Sequence, residues 1–516
     1  MEEKIDMARR PVLLLLLPAL LVLTACVDLS PSFSTYVGST VTTDPNAIAS
    51  PTPFAPSTDT PASAPALTPT VPAQSQTGEL IPTTLPRPDA ENIRPHYILE
   101  ATLDYAAHRL SVDEVITYQN LTGQSLTGLV LAVEPNLWKN CFTLGGLMVY
   151  GEMVNDFRLI DDRLEVPLAA ALAPGDGVNV LLHFDLSLPP ANPYHVFGYN
   201  DLQTNLVDWY PFIVPYSNGW VLHPPANVGE HLVYDVADFD VTLHLADLAS
   251  PATFAAGAPA EAANGTWHYH LSQARAFVFS ASPAYRTVST SVSGIPVIGY
   301  YYESEKVQAL AALDEVAKAL ATFSTLFGPY PYPSLSMVES PYFDGMEYDG
   351  LFFLSRDYYL SSDGTVLNNL TDIAVHETAH QWWFGLVGND QAMEPWLDEA
   401  LATYSERLFY ELNHPAVTAW QSFRVDTFSP SGWVDTDIYH GVNFRTYANA
   451  VYLRGALFLQ SLRERMGSPA FFAFLKDYAT QMSGKRSTPV DFFRILRQHT
   501  SVELSDVISI YFQNSY

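Results

Sequence analysis

Residues 376–380 hold the pattern with the clearest chemical meaning, because His376, Glu377 and His380 have the spacing of neighbours on a helix. Side chains four positions apart project from the same helical face, so the two histidines can offer imidazole nitrogens to one ion. Neutral imidazole suits zinc, and the Glu377 carboxylate would lie beside the ion as a general base for water. The pattern therefore predicts a catalytic metal site.

A second predicted helix supplies the third ligand. It opens at Pro395 and places Glu399 nineteen residues after His380. The first helix is expected to begin near Asn368 and to continue to a stop at Gly385. Three protein ligands with one open position are typical of catalytic zinc, whereas structural zinc uses four ligands and favours cysteine. The alternative, two solvated histidines on an ordinary helix, leaves the position of Glu399 unexplained.

This arrangement resembles the zinc motif of the gluzincin aminopeptidases, the aminopeptidase N-like zinc metallopeptidase family. Eighteen residues separate His380 from Glu399, and thermolysin-type endopeptidases have a slightly longer spacer. The tracts 376–385 and 396–399 are both similar to the family. Residues 344–348, Asp-Gly-Met-Glu-Tyr, are similar to its Gly-Ala-Met-Glu-Asn exopeptidase motif. The resemblance extends from about residue 95 to the end and implies one zinc ion per chain.

The resemblance also implies roles for residues beyond the ligands. Glu347 would bind the free α-ammonium group of a peptide, and the backbone of Gly345 and Met346 would line an edge for that peptide. Tyr452 lies in a Tyr-Leu-Arg-Gly tract similar to the family's Tyr-Glu-Lys-Gly, whose tyrosine stabilises the oxyanion. Tyr447 is the rival, five residues earlier.

Two further candidates complete the predicted site. In the family, the strand-rich domain supplies a Gln or Glu near the substrate amine. The tract to examine here is residues 201–211, whose register is ambiguous, and Gln203 is the candidate within it. Glu406 lies seven positions after Glu399, on the same helical face. It would either orient a ligand histidine or remain a solvated acid.

Alternating hydrophobicity predicts an all-β domain, a saddle or sandwich, over residues 94–290. A thermolysin-like zinc catalytic domain is expected over 291–516, where short strands flank a turn at residues 345–347 and a long helix runs from Ser304 to Phe327. The apolar face of that helix is predicted to hold Val307, Leu310, Ala317, Leu320, Phe323 and Phe327. The fold class is therefore multidomain, β followed by α+β. The predicted segments are strands at 97–105, 110–118, 129–133, 178–184, 239–245, 297–302, 335–339 and 351–354, and helices at 449–466, 468–482, 488–498 and 503–513.

The first 93 residues are predicted to direct and tether the protein. An apolar run ends in Leu-Thr-Ala-Cys at Cys26, which resembles the bacterial lipobox, so residues 1–26 are interpreted as a lipoprotein signal peptide. An uncleaved anchor is the alternative. Residues 27–93 are rich in Pro, Ser and Thr and are expected to form a disordered tether. We therefore expect an exported, membrane-anchored lipoprotein with Cys141 as a buried free thiol.

Composition narrows the classes of partner. The 516 residues include 48% hydrophobic residues, which is typical of globular domains. The 25 basic and 55 acidic residues give a net charge of −30, which disfavours nucleic acid and anionic membrane surfaces. A cationic peptide terminus fits this charge better.

The combined patterns predict a zinc-dependent aminopeptidase that removes N-terminal residues from peptides. Two alternatives stay open. The family's large helical C-terminal domain, which roofs the cleft, is expected to be missing, and an endopeptidase on the same scaffold would fit an open cleft. A surface lipoprotein that binds ligands without turnover is the other alternative, although the full set of catalytic residues argues against it.

Overall fold

The computed structural model describes residues 94–248, 252–441 and 443–516. The predicted signal peptide, the lipid site at Cys26 and the tether lie outside these residues. Within the described ranges, we find no helix with the length and hydrophobicity that a bilayer span requires.

The first part of the described chain is a β domain. Its side chains alternate between buried and exposed along the longer strands, as in β1, where Tyr97, Leu99, Ala101 and Leu103 face the core. The strands are β1 His96–Asp104, β2 Arg109–Gln119, β3 Leu126–Ala132, β4 Phe142–Val149, β5 Glu152–Met153, β6 Arg158–Ile160, β7 Arg163–Leu172, β8 Gly177–Ser187, β9 Gly198–Tyr199, β10 Thr204–Leu206, β11 Phe212–Ile213, β12 Ala237–Leu245, β13 Thr253–Ala256, β14 Ala260–Ala263, β15 Thr266–Ala274 and β16 Phe279–Ser282.

Three sheets build this domain. The largest has the order β14-β15-β12-β1-β2-β8-β4-β5, and two four-stranded sheets have the orders β13-β16-β10-β9 and β11-β3-β7-β6. In the largest sheet Leu99 of β1 pairs with Val241 of the parallel β12 and with Glu114 of the antiparallel β2. Cys141 is buried as a free thiol, and burial raises its pKa to about 12.

The catalytic domain has its own five-stranded sheet, in the order β17-β18-β19-β21-β20. The expected domain boundary at 290/291 falls inside β17. Because β17 pairs with β18 of the catalytic domain, the structure places the boundary before Arg286. Residues 345–348 were expected to include a turn, but they form the edge strand β20, antiparallel to β21. The strands are β17 Arg286–Val292, β18 Ile295–Tyr301, β19 Leu335–Ser340, β20 Gly345–Tyr348, β21 Leu351–Ser355, β22 Val387–Gly388 and β23 Lys485–Arg486.

Helices cover this sheet and carry most of the second core. They are α1 Lys306–Leu326, α2 Arg356–Ser361, α3 Asn369–Ala379, α4 Trp396–Asn413, α5 Phe444–Ala448, α6 Arg454–Met466, α7 Ser468–Gln481, α8 Pro489–Leu496 and α9 Ser505–Tyr511. Short 3-10 or π turns occur at Glu134–Leu137, Glu303–Glu305, Gln421–Val425, Asp426–Phe428 and Asn449–Leu453.

One predicted helical face is displaced. The core side of α1 runs through Ala309, Leu313, Val316, Leu320 and Phe323, at alternating spacings of four and three residues. The sequence prediction had placed Val307 and Leu310 on the buried face, and they are instead 76% and 48% exposed. The later part of the predicted stripe, from Leu320 onward, is buried.

Candidate active site

The helix α3 places the two histidines. Asn368 caps it by accepting a hydrogen bond from the Thr371 amide at 3.1 Å. The prediction that the helix continues to Gly385 is wrong, because α3 ends at Ala379 and the chain turns after His380, where the Gly385 amide donates to the His380 carbonyl. His380 therefore lies at the C-cap.

Hydrogen bonds fix which nitrogen each histidine presents. The Nδ1 of His380 lies 2.8 Å from the carbonyl oxygen of Trp383, which can only accept, so this nitrogen carries the proton. The Nδ1 of His376 lies 2.7 Å from a carboxylate oxygen of Glu406. Both rings consequently direct Nε2 with its lone pair toward the cleft.

Glu399 completes a three-atom donor set. It lies in the first turn of α4, where the helix dipole favours a carboxylate. The Nε2 atoms of His376 and His380 are 3.0 Å apart, and they lie 3.2 and 3.4 Å from Oε2 of Glu399. This triangle is the size expected for atoms that share one ion with bonds of about 2.0–2.2 Å. Burial opposes ionisation of Glu399, but the adjacent histidines lower the pKa of its carboxyl below the ordinary range.

A buried ion network supports His376. Glu406 is fully buried and accepts two hydrogen bonds from Arg424, at 2.9 and 3.1 Å. Arg424 also pairs with Asp372 at 3.1 Å. Burial opposes ionisation of Glu406, yet Arg424 and His376 hold its pKa below the ordinary value. Of the two interpretations of Glu406, the geometry supports the one in which it orients a ligand histidine.

Glu377 lies beside the donor triangle against a strand that makes room for it. A side chain at Gly345 would meet Oε1 of Glu377 at 2.1 Å, so the backbone can approach this closely only at a glycine. The other carboxylate oxygen, Oε2, is buried and has no hydrogen-bond partner among the described residues. Burial raises the pKa of Glu377 well above its ordinary value, with Glu347 and Glu399 adding to the shift.

The two candidate tyrosines differ in position. Tyr452 lines the cleft, stacks parallel to His376 and donates its hydroxyl hydrogen bond to Oε1 of Glu399 at 2.6 Å. Tyr447 is fully buried and its hydroxyl has no partner within the described chain. Burial raises the pKa of Tyr452 well above its ordinary value, so its hydroxyl stays a donor. Tyr452 therefore contacts the predicted metal ligands Glu399 and His376, whereas Tyr447 is buried outside the cavity lining.

Carboxylates occupy the cleft next to the edge strand β20. Glu347 is buried, lines the cavity together with Gly345 and Met346, and accepts a hydrogen bond from Gln391 at 3.3 Å. Burial raises the pKa of Glu347. The predicted grouping of these three residues near the ligands is present in the structure.

Gln203 does not belong to this group. It is 1% exposed, its amide nitrogen donates to Asn205 at 2.7 Å, and its amide oxygen accepts a hydrogen bond from the Tyr302 hydroxyl. The cavity lining does not include it. A side chain whose polar groups are already bonded at the junction of the two domains cannot also bind a substrate amine, so this prediction is wrong.

The β domain contributes Glu230 instead. Its side chain lines the cavity, and its Oε2 is buried with no hydrogen-bond partner in the described part of the chain. Burial raises its pKa well above the ordinary value, and Glu347 is the largest electrostatic contributor. Glu230 lies in the segment between β11 and β12, where no periodic pattern marks it. The sequence indicated only that the β domain would supply a Gln or Glu near the substrate amine, and it did not single out Glu230.

These residues surround one cavity of about 460 Å³. The triangle of donor atoms, Glu377 and Tyr452 form part of its wall. The two carboxylates Glu347 and Glu230 and the cations Arg424 and Arg445 also line it. A metal-binding centre, a base, a hydroxyl donor and an anionic pocket therefore share one space.

Part of the chain matches a known protein family. Residues 311–511 match the model of the Peptidase family M1 domain. The matched stretch is 201 of the 516 residues and lies within the second domain. The prediction of an aminopeptidase N-like zinc metallopeptidase family is thus confirmed.

The curated relatives are longer proteins that match only part of this chain. Aminopeptidase M1-B of Oryza sativa subsp. japonica is 27% identical over 240 residues, 43% of this chain and 27% of that protein. Endoplasmic reticulum aminopeptidase 1 of Homo sapiens is 28% identical over 215 residues, 39% of this chain and 23% of that protein. The chain thus spans about a quarter of the length of these curated relatives.

Solved structures cover more of the chain. An M1 zinc metallopeptidase from Deinococcus radiodurans has a TM-score of 0.60 at 19% identity, over 82% of this chain and 94% of that one. A variant of the D. radiodurans enzyme bound to a Tyr-Ser-Ala substrate has a TM-score of 0.59 at 19% identity, over 82% and 95%. The predicted fold class, β followed by α+β, is confirmed by this likeness.

The M1 domain of this chain fits zinc on its own residues. Two neutral imidazole nitrogens and one carboxylate oxygen converge, and their protons and hydrogen bonds point away from the shared centre. The predicted cofactor agrees with the zinc metallopeptidases that share this fold.

Proposed function

We propose that this chain is a zinc-dependent aminopeptidase that hydrolyses the first peptide bond of peptides with a free amino end. The observation that carries the proposal is the meeting of Glu347 and Glu230 in the cavity that holds His376, His380 and Glu399. Two carboxylates beside a metal-binding triad provide an anionic pocket for a cationic terminus.

The anionic pocket favours a charged ligand for a physical reason. Glu347 is buried, and Glu230 is half-buried with its Oε2 shielded from solvent. Burial raises the pKa of both carboxyl groups, and Glu347 adds to the shift at Glu230, so both carboxylates ionise at a free-energy penalty. An α-ammonium group between them relieves this repulsion and receives charge-assisted hydrogen bonds. An acetylated amino end offers no positive charge and leaves the penalty in place.

The edge strand β20 can align the peptide. Its free side borders the cavity at Gly345 and Met346. Extended peptides add to exposed sheet edges through main-chain hydrogen bonds, which hold the first peptide bond at a fixed distance from the bound amine. The position of the amine then determines which bond lies near the triad.

Glu377 and Tyr452 would perform the proton transfer and the stabilisation of charge. A zinc ion held by His376, His380 and Glu399 would supply Lewis-acid polarisation of the scissile carbonyl and acidify the attacking water. Glu377 accepts that water's proton on Oε2, which has no hydrogen-bond partner within residues 94–248, 252–441 and 443–516, and returns it to the leaving nitrogen. The Tyr452 hydroxyl turns from Glu399 to donate to the carbonyl oxygen as negative charge develops there.

A panel of peptides tests the proposal. Each sequence is prepared with a free and with an acetylated amino end, and products are identified by mass spectrometry with and without a chelator. We expect release of residue one from the free peptides only, and no release with the chelator. Internal cuts that ignore acetylation would favour the endopeptidase, and tight binding without products would favour the binding lipoprotein.

Anchoring is part of the same proposal. The apolar run and the Leu-Thr-Ala-Cys sequence that ends at Cys26 support lipidation at that residue and an exported location on a membrane. Cys26→Ala should move the protein from the membrane to the soluble fraction. Cys141→Ala is the matched control because it changes the chain's other cysteine, which is buried.

A further inference from the structure

A second group of metal-ligand side chains lies in the β domain. Glu134, Asp162 and His231 each place one ligand atom within 4.8 Å of the others. His231 Nε2 is 3.2 Å from Oε2 of Glu134 and 3.7 Å from Oδ2 of Asp162. The three residues come from distant parts of the chain, and the amide of Val133 donates to the Asp162 carbonyl at 2.6 Å, which holds Asp162 beside Glu134.

The facing atoms of this cluster are buried and contact one another. Among the residues that the structure describes, no group outside the cluster bonds Oε2 of Glu134, Oδ2 of Asp162 or Nε2 of His231, and Asp162 is 6% exposed. Buried polar atoms in folded proteins nearly always have partners, so an unpaired group calls for an explanation. Three such atoms that converge on one point indicate a shared cation.

The chemistry of the donors defines the class of cation. One imidazole nitrogen and two carboxylate oxygens suit first-row divalent transition metals such as zinc. In the described part of the chain, His231 is the one side chain that forms an ion pair with either carboxylate. Burial opposes protonation of His231, but the adjacent Asp162 and Glu134 carboxylates raise its pKa to about 10. A divalent ion would displace that proton and neutralise the two carboxylates in its place.

One residue of the cluster borders a pocket that is open to solvent. Asp162 lines an open pocket of about 260 Å³ together with Arg163, Leu222 and His223. Arg163 is paired with Glu165 at 2.8 Å, so its charge is already balanced. Water from this pocket would complete the coordination sphere.

The cluster is joined to the active-site cavity by a short loop, residues 228–231. Val228 packs in the catalytic core, and a side chain at Gly229 would meet the Tyr447 hydroxyl at 2.8 Å. Glu230 enters the cavity, and His231 joins the cluster. A cation at His231 would hold the loop next to the residue that lines the cleft.

We propose that Glu134, Asp162 and His231 bind one divalent transition-metal cation, distinct from the ion at His376, His380 and Glu399, and that this cation fixes the loop bearing Glu230. The site stands on the β-domain residues alone, whether or not the chain is an aminopeptidase.

The test counts metal in the full chain. Chelator-treated protein is saturated with Zn²⁺, desalted and analysed by elemental mass spectrometry. We expect two zinc ions per wild-type chain. His376→Ala with His380→Ala should retain one, and addition of Glu134→Gln with Asp162→Asn should remove that one as well. The matched control is Asp113→Asn with His183→Gln, an exposed pair in the same domain that should leave the count at two.

A second measurement covers variants that fold poorly. In the His376→Ala, His380→Ala background, Zn²⁺ should raise the melting temperature, and the single change Asp162→Asn should abolish this rise. One zinc per wild-type chain at saturation would overturn the proposal and assign the cluster to a protonated His231 paired with two acids. Two zinc ions that persist after Glu134→Gln with Asp162→Asn would overturn it equally.

Discussion

The metal side of the cleft and its amine side are built in different ways. His376 lies in α3 and His380 caps its C-terminal end, so their spacing along the chain sets their relative positions, and α4 packs against α3 to bring Glu399 beside them. Glu347 and Glu230 lie on an edge strand of one domain and a loop of the other. The metal side thus depends on local helical geometry, whereas the amine side depends on how two domains meet.

Small residues mark where the amine side is assembled. A side chain at Gly345 would collide with Glu377, and one at Gly229 would collide with Ile438 and Tyr447. Gly229 also has a φ of +69°, which L side chains rarely adopt. Both positions permit a backbone approach that no helical spacing specifies, so substitutions in the two regions should fail in different ways.

The largest effect is expected on the metal side. Glu377→Gln should keep the metal and lower kcat by about 10²- to 10⁴-fold, because only the proton acceptor is removed. His380→Ala should lose both metal and activity. Metal content by elemental analysis and kcat with a free-amine peptide check both variants. His414→Gln, whose ring pairs with Glu315 outside the cavity lining, should change neither value.

The comparison of the two tyrosines should give the next largest effect. Tyr452→Phe is expected to lower kcat by roughly ten- to a thousandfold with little change in KM, since an oxyanion donor acts mainly in the transition state. Tyr447→Phe should leave kcat near the wild-type value because its hydroxyl faces Gly229. The opposite pattern in steady-state kinetics would assign the donor to Tyr447.

The amine side should respond through selectivity. Glu347→Gln and Glu230→Gln should each lower kcat/KM for free-amine peptides by about ten- to a hundredfold, the worth of a charge-assisted hydrogen bond. The preference for free over acetylated peptides should shrink by the same factor. Gln203→Ala is the control, because its side chain is bonded to Tyr302 and Asn205. A loss of selectivity in Gln203→Ala alone would contradict the assignment of Glu230.

The smallest effect concerns the junction between the domains. Glu339 accepts a hydrogen bond from the Tyr302 amide at 3.0 Å, and burial raises its pKa to about 8. The folded protein keeps this proton at pH values where the unfolded chain has released it. Its contribution to the free energy of unfolding therefore falls as pH rises from about 4.5, its ordinary pKa, toward 8.

Glu339→Gln should remove that decline. Between pH 5 and pH 7 the variant should gain about 1 to 2 kcal/mol relative to wild type, measured by denaturant unfolding at each pH. Glu303→Gln, which changes an exposed acid paired with Arg286, should show no such gain. An equal gain for both variants would mean that general surface charge, and not burial of Glu339, governs the pH dependence.

Sequence periodicity was sufficient to predict the elements and residues whose positions depend on contacts between neighbours in the chain. The strands at 97–105 and 110–118 and the paired histidines follow from spacings of two and four residues. Glu399 was predicted from its place in a second helix, and the role of Glu406 stayed open until the structure placed it against His376. The edge position of Gly345 and Met346 and the choice of Tyr452 over Tyr447 came from resemblance, and the structure places these residues at the cleft.

Tertiary structure decided the rest, because those contacts join residues that no periodic pattern relates. Gln203 was placed at the substrate amine from its tract alone, yet its hydrogen bonds to Tyr302 and Asn205 hold it at the domain junction. Glu230 enters the cleft because Gly229 lets its loop press against the catalytic domain. The sequence determined the metal ligands through helical geometry, and the packing of two domains determined which carboxylates share their cavity.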